Sequence, residues 1–485
     1  MTMNSSGPIS LGGLTSGESI NLELGQSYNA TVSLNDTNVR LLANVTTPNS
    51  TITMPTNFYG KNYPYYWYTN VYKPTSINRV YDVSGGVDSN GNVYVGGYAE
   101  TSPNTLYIAK LDYQGGEVWQ STITGVPVGV VDITAQPSGL SYIVAPLSGT
   151  LFVCQLTSSG LISWQQNYNY GLSNGNESNA VTVNGNNVFV STSPYITPSG
   201  RYRAFLLCYS STGTLNWQRY FDPSDTYVNA TVRGMTTDSA GTYVFTAGRF
   251  FKADTSEEYG LLTQYNASTG ARVTYRQYGG ASNLSVFEAV APMSDSATTL
   301  AVAGRTVGTS QYACWVMKTD LSTGSIAWQR VLYSSGQVCV FFGVAVDSSD
   351  NIYAVGYIGA TTGVVAKYNS SGTLQWQRSL TISGSDVRPY TISITASGNA
   401  FVVAGEIQTS STSTTRAFAL ELPLDGSKTG TYNSLVYAAS SYTTGASSVP
   451  STAVTFADST PTYTSTAGSA TRSAASYTIT TTAIT

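Results

Sequence analysis

Histidine is absent from the 485 residues. That removes serine–histidine–aspartate and cysteine–histidine catalysis and every imidazole-ligated metal together. Charge is scarce too: 10% of residues are Asp, Glu, Lys or Arg, against about a quarter in an ordinary soluble domain. With 22 basic and 26 acidic residues the net charge is -4, which leaves no cationic footprint for nucleic acid. The four cysteines (Cys154, Cys208, Cys314, Cys339) form no CxxC pair and no metal-ligand spacing. Cys154 and Cys208 close apolar runs, Leu-Phe-Val-Cys and Phe-Leu-Leu-Cys, so buried free thiols are expected. No run of 18 apolar residues is present, and the opening MTMNSSGPISLGG lacks the basic and apolar regions of a secretory signal.

What fills the chain is Gly, Ser, Thr, Asn and Tyr around short apolar runs. Residues 344 to 380 show the pattern best: Val344-Ala-Val346, a polar Asp347-Ser-Ser-Asp350 turn, Asn351-Ile-Tyr-Ala-Val-Gly-Tyr357, Val364-Val-Ala-Lys-Tyr368, a turn ending at Gly372, and Leu374-Gln-Trp-Gln-Arg378. Runs of about five β-branched and aromatic residues between turn residues predict four antiparallel strands. The unit recurs. A glycine stands four residues before a tryptophan at Gly115/Trp119, Gly160/Trp164, Gly213/Trp217, Gly324/Trp328 and Gly372/Trp376, with a degenerate version at Gly270/Tyr275 and a seventh unit running from Ala400 to about Tyr432. A variable period near 50 with fixed markers places the insertions in loops.

Four-stranded units apolar on both faces cannot stand alone; closing them into a ring buries both faces and leaves short edges. The expected fold is all-β, a β-propeller of seven four-stranded blades over residues 80–437. The first strand of each unit is small or β-branched (Ala180-Val-Thr-Val183, Gly234-Met-Thr-Thr237, Thr391-Ile-Ser-Ile394), as a crowded axis requires. A glycine ending the second strand (Gly97, Gly248, Gly304, Gly356, Gly405) predicts a bend or a close backbone approach. The repeat tryptophans are expected to anchor the blade cores. Trp67-Tyr-Thr-Asn-Val-Tyr72, in an aromatic connector at 62–79, resembles an outer strand. If it completes the last blade, the strand near Tyr432 must leave the ring; otherwise the latter closes it. The Ser/Thr-rich tail 438–485 reads as flexible by composition, yet Tyr477-Thr-Ile-Thr-Thr-Thr482 has strand propensity and suits a sheet edge, in its own domain or in a neighbouring subunit.

Residues 1–61 differ from the repeats. Alternation at Ile20/Leu22/Leu24 predicts a strand, and Asn35 or Asp36 is placed to cap a helical turn from Val39 to Ala43. Here Ser6-Gly-Pro-Ile-Ser-Leu-Gly-Gly13, Ser19-Ile-Asn-Leu-Glu-Leu-Gly25, Ser33-Leu-Asn-Asp36, Val39-Arg40, Ile52-Thr-Met-Pro55 and Phe58-Tyr-Gly-Lys61 follow one another. In that order they resemble a short N-terminal module of tailed-bacteriophage structural proteins. The tandem D-x-x-G-N-x-Y-x-x-G-Y…K-x-D-x-x-G-x-x-x-W pattern from Asp88 to Trp119 resembles the seven-bladed propeller repeats of many bacterial and phage surface proteins. The resemblance implies a virion protein, assembled in the host cytoplasm, whose residues 1–61 dock onto other virion proteins as part of a homo-oligomer. The propeller would then meet a host-surface glycan or protein, as a tail-fibre or baseplate-associated adhesin. Two other roles compete: an architectural connector or head decoration, and a glycan depolymerase.

Turns joining the second and third strands share one face with the links between blades. They hold Tyr195, Tyr202, Arg203, Arg249, Phe250, Phe251, Arg305, Tyr312 and Tyr357, aromatic platforms and guanidinium forks suited to sugar or protein surfaces. Catalysis would need a carboxylate pair. Asp254, Glu257 and Glu258 cluster in one of these loops, with Asp222 and Asp225 before the same blade, but a solvated acidic loop explains them as well. The turn-to-Trp spacing is similar to the Asp-box of sialidase propellers, yet most turns lack the aspartate, as at Ser158-Ser-Gly160. Asp88-Ser-Asn-Gly-Asn92 and Asp347-Ser-Ser-Asp-Asn351 resemble calcium loops without the bidentate Glu, and an Asx turn accounts for both. The sequence therefore points to no enzyme, metal or cofactor.

Overall fold

The computed structural model describes residues 66–72, 80–99, 105–125, 131–147, 149–170, 173–196, 200–222, 227–252, 257–279, 284–307, 312–359, 361–409 and 414–449. It also describes the backbone of five strands between 451 and 484 and, before these, Ser19, Ile20 and Val39. The chain divides into two units, Met1–Tyr66 and Trp67–Thr485. In the first, Ile20 and Val39 are buried with helical backbone. Val39 sits as its capped turn predicts; Ile20 departs from the strand that alternation suggests, and Leu22 and Leu24 lie outside the described residues.

The second unit is a seven-bladed propeller. Each blade is an antiparallel meander of four strands, at residues 80–124, 132–169, 173–222, 227–278, 285–333, 339–381 and, for blade 7, 385–423 together with Tyr66–Tyr72. The Trp67 strand pairs with the third strand of blade 7, Trp67 opposite Glu421 and Val71 opposite Ala417, so the N-terminal side of the chain closes the ring. The Tyr432 strand leaves it, pairing as Gly430–Tyr432 with Leu435–Ala439 at the edge of blade 6.

Blade contacts explain the repeat markers. Apolar side chains fill each described gap between blades: Tyr142, Val153 and Tyr168 of blade 2 meet Val188, Phe205 and Leu207 of blade 3, for example. On the innermost strands a Cβ at Gly234 would lie 2.9 Å from the Ala289 Cα of the next blade, and one at Gly343 would lie 2.8 Å from the Tyr390 carbonyl. This is the crowding that the small first strands anticipate. Those strands carry a β-bulge in blades 4 to 7, after Val232, Phe287, Phe341 and Pro389. Opposite each bulge stands the glycine of the second strand, where a Cβ would run into the carbonyl of Thr231, Val286, Val340 or Arg388. The close approach expected at Gly248, Gly304, Gly356 and Gly405 is this one.

Between third and outer strands each tryptophan reaches forward to the next blade. Trp328 lies over Gly372, whose φ of 80° only glycine adopts freely, and its indole N–H donates to the Ser370 carbonyl at 3.0 Å. The same ring-over-glycine contact joins Trp67 to Gly115, Trp119 to Gly160, Trp164 to Gly213, Trp217 to Gly270 and, without the indole hydrogen bond, Trp376 to Gly426. Blade 4 differs from the sequence assignment. Pairing puts Thr274, not Tyr275, at the tryptophan position. Arg276 covers Gly324 instead, donating to the carbonyls of Leu321 and Ser322 at 2.6 and 2.8 Å.

The tail is the largest departure from the reading of a flexible segment. It runs back around the rim against the blade order as a strap, adding one further strand to every blade: Leu435–Ala439 on blade 6, Thr443–Ala446 on 5, Ser451–Ala453 on 4, Ala457–Ser459 on 3, Thr464–Ala467 on 2, Thr471–Ala474 on 1 and Thr478–Ile484 on 7. The cause is a repeat of seven residues. Leu435, Tyr442, Val449, Phe456, Tyr463, Ala470 and Tyr477 head successive heptads, and alanine stands four places on at 439, 446, 453, 467 and 474. Those alanines pair with Arg378, Arg330, Arg276, Gln166 and Ser121, each two residues past the latch position. One heptad spans one blade.

Candidate functional site

Eight of the nine residues singled out from the sequence lie in paired strands rather than free loops, because the second and third strands run on into the turns; Arg203 stands between two strands, its amide donating to the Pro194 carbonyl. Lys252 still pairs with Glu257, Val307 with Tyr312, Ile358 with Thr362, and Tyr195 with Tyr202. They occupy the same end of four consecutive blades: Tyr195, Tyr202 and Arg203 on blade 3; Arg249, Phe250 and Phe251 on 4; Arg305 and Tyr312 on 5; Tyr357 on 6.

Pairing decides what each can do. Tyr195 and Tyr202, both half-buried, meet edge to face at 5.1 Å, and the Tyr202 amide donates to Asn229 Oδ1 of blade 4 at 2.9 Å. Arg305 lies over the Tyr312 ring at 4.9 Å, and Arg203 over Tyr220 at 5.7 Å. Arg249 is ion-paired with Glu258 across the hairpin. Phe251 is half-buried beside that pair. Phe250 must be withdrawn as an exposed platform: it is fully buried, stacked on Tyr259 at 5.0 Å, within the core between blades 3 and 4. Alternation along the strand turns Phe250 into the core and its neighbours out.

Tyr357 belongs to a cluster that sequence reasoning missed. Its ring is 5.6 Å from Phe342, which lies 5.1 Å edge-on to Tyr390 of blade 7. Arg388 sits over Tyr357 at 6.0 Å and pairs with Asp386 at 3.1 Å and Glu406 at 3.5 Å. The Tyr390 hydroxyl donates to Glu406 at 2.8 Å. Burial works against the Arg388 charge, but Tyr390, Glu406 and Asp386 together hold it above the ordinary arginine range. Phe342 and Tyr390 are the bulge residues of blades 6 and 7, and Arg233 and Glu288, those of blades 4 and 5, form a 2.8 Å ion pair. The available signal was the residue just before each small first-strand segment.

On the opposite face the turns are self-contained. Asp88 accepts from the amides of Asn90 and Asn92, from Asn92 Nδ2 and from the Tyr94 hydroxyl. Asp347 repeats this with Ser349, Asn351 and Tyr353. Both are Asx turns with their lone pairs engaged. Among the described residues no group of three carboxylates or thiols is placed to hold a metal. Of the acidic loop, Glu258 pairs with Arg249 and Glu257 accepts from the Tyr259 hydroxyl; Asp225 and Asp254, and the side chain of Asp222, lie outside what is described. All four cysteines are buried free thiols. A hydrogen bond from Cys314 draws the Cys339 thiol down to about 7, while burial raises that of Cys208 to about 12.

Residues 104–356, from the third strand of blade 1 to the second of blade 6, match the family described as outer membrane protein assembly factor BamB. The chain belongs to this family. Solved propellers similar to it include Sqt1 from Chaetomium thermophilum, at 12% identity, covering 76% of this chain and 88% of that one with a TM-score of 0.42. A protein of unknown function from Dyadobacter fermentans has 10% identity, 73% and 97% coverage and a TM-score of 0.45. One from Lactobacillus plantarum has 12% identity, 60% and 82% coverage and a TM-score of 0.35. No curated protein matches the chain.

Proposed function

We propose that this propeller is a non-enzymatic structural protein of a tailed-phage particle, fibre- or baseplate-associated, docked through residues 1–61 and touching the host surface with the aromatic and arginine-bearing ends of blades 3 to 6. The observation that carries the binding role is the row of half-buried pairs at one end of consecutive blades, Tyr195 with Tyr202, Arg305 with Tyr312, and Tyr357 with Phe342 and Arg388. Rings held by a neighbour present a rigid face at small entropic cost, which suits stacking against sugars or side chains. The placement on a virion rests on the N-terminal sequence blocks. Family membership supports a protein that binds rather than reacts, an assembly factor by description.

Binding of the purified protein to susceptible bacterial cells tests the reading. Tyr195→Ala with Tyr202→Ala is expected to weaken binding at least tenfold while the melting transition moves by no more than a few degrees; equal binding overturns it. Antibody labelling of purified particles checks the placement, and oligosaccharide release from host polysaccharide would overturn the non-enzymatic assignment.

A further inference from the structure

The rim that carries the strap is a receptor with a sequence code. In blade 6 the buried Gln377 amide treats a strap residue as a strand neighbour would: Nε2 donates to the Tyr442 carbonyl at 2.9 Å and Oε1 accepts from the Tyr442 amide at 3.0 Å. In blade 5, Gln329 does the same for Val449, at 3.0 and 3.2 Å. Each glutamine directly follows a latch tryptophan, and the two residues it holds head successive heptads. Val449 is buried in the core between blades 4 and 5, and Tyr442 packs on the core between blades 5 and 6. Ladder, clamp and anchor thus occur together in blades 5 and 6, one heptad apart.

We propose that the strap is an exchangeable arm, so that the partner the rim fits is a second copy of this chain, whose strap seats on it in place of its own. Two observations carry this. What holds the described part of the strap is an edge ladder of three or four residue pairs, a glutamine clamp or an inserted heptad head, all of which an identical strap from another molecule makes equally well. Exchange then keeps the strap's contacts with the rim and needs only a hinge that opens. That hinge is strained as it stands. Among the described non-glycine residues with left-handed backbone, Lys428 (φ 64°) lies between the last propeller strand and the hairpin that begins the strap, whereas Asn433 (φ 58°) sits in that hairpin's turn, where asparagine adopts this backbone readily. Straightening residues 427–429 releases Lys428 while leaving the Gly426 latch and the 430–439 hairpin in place, and strain in a short hinge favours the exchanged form. The inference is independent of the adhesion reading.

The test uses directly opposed, exposed partners, Tyr333 of blade 5 and Thr443 of the strap, whose Cβ spacing suits a disulfide. Full-length Tyr333→Cys and Thr443→Cys chains, differently tagged, are co-expressed and treated with copper–phenanthroline. A disulfide-linked heterodimer is expected at ten times or more the yield of a mismatched pair, Val118→Cys with Thr443→Cys. Chains carrying both Tyr333→Cys and Thr443→Cys check that the strap is seated, by closing an internal disulfide. Internal closure with heterodimer no higher than the mismatched pair overturns the exchange; neither product overturns the rim assignment as well.

Discussion

The two ends of each blade obey different rules. At one end, where third and outer strands turn, the same device recurs seven times: a side chain from one blade lies over a left-handed glycine of the next. At the other end, where second and third strands turn, successive blades present a tyrosine pair, an arginine–glutamate pair, an arginine over tyrosine, and an aromatic cluster with a buried ion-pair network. The strands between are alike. Uniformity is therefore a property of the end that carries the shared latch, and variety of the end where each blade makes contacts of its own, as Tyr202 does with Asn229 and Phe342 with Tyr390. The shared latch constrains the first, and the second is free to vary.

This difference can be broken from the joining end. Trp328→Ala removes a buried indole and its hydrogen bond to Ser370 and is expected to destabilise the protein by about 3–5 kcal/mol in denaturant titration. Gly372→Ala attacks the same latch from the other side. Its Cβ would stand 2.5 Å from the Trp328 ring in a backbone of φ 80°, for roughly 2–4 kcal/mol. Arg276→Ala, at the one joint without a tryptophan, is expected to lose less, about 1–2 kcal/mol, since it removes two hydrogen bonds and little apolar area.

A subtler test concerns the joint that closes the ring. Trp67 Nε1 donates to the Tyr113 carbonyl at 3.2 Å and to Glu421 at 3.1 Å. Burial pushes the Glu421 carboxyl from 4.5 up to about 8, partly offset by that bond. A raised carboxyl pKa means the folded protein holds a proton that the unfolded chain releases. This contribution is full below about pH 4.5 and is lost as pH rises toward 8. Glu421→Gln keeps an acceptor for Trp67 and cannot ionise. Its melting temperature is expected to exceed the parent's at pH 9 and to match it near pH 4.5; a constant difference across pH would show that the carboxyl does not titrate in this joint.

How far the sequence carries follows the same division. The latch was legible because a tryptophan and a glycine at fixed spacing leave no other use for either, and Thr274 was misplaced by one residue because the marker was missing there. The bulge glycines were legible for the same reason. The strap was not. Its ladders are backbone to backbone, and Ser, Thr and Ala pair at an edge without the apolar alternation that betrays a strand. Before its last strand only its seven-residue period marks it, and that period means nothing until the spacing of blades gives it a length to match. The cluster of Phe342, Arg388, Tyr390 and Glu406 was hidden because a bulge brings forward a residue that strict alternation assigns elsewhere.

The smallest expected effect on stability is at the variable end, and it is the one that sharpens the comparison most. Tyr195 and Tyr202 pack on each other rather than into a core shared by two blades. Replacing both by alanine removes an edge-to-face contact of roughly 0.5–1.5 kcal/mol and leaves the Asn229 bond to the Tyr202 backbone in place. The melting transition is expected to move by no more than a few degrees while cell binding falls. The same two substitutions made with Phe250→Ala, which reaches the core between blades 3 and 4, are expected to lower stability by about 3–5 kcal/mol more. If the tyrosine pair proves as costly as Phe250, the two ends of the blade do not differ in kind, and recognition has to be sought elsewhere on the ring.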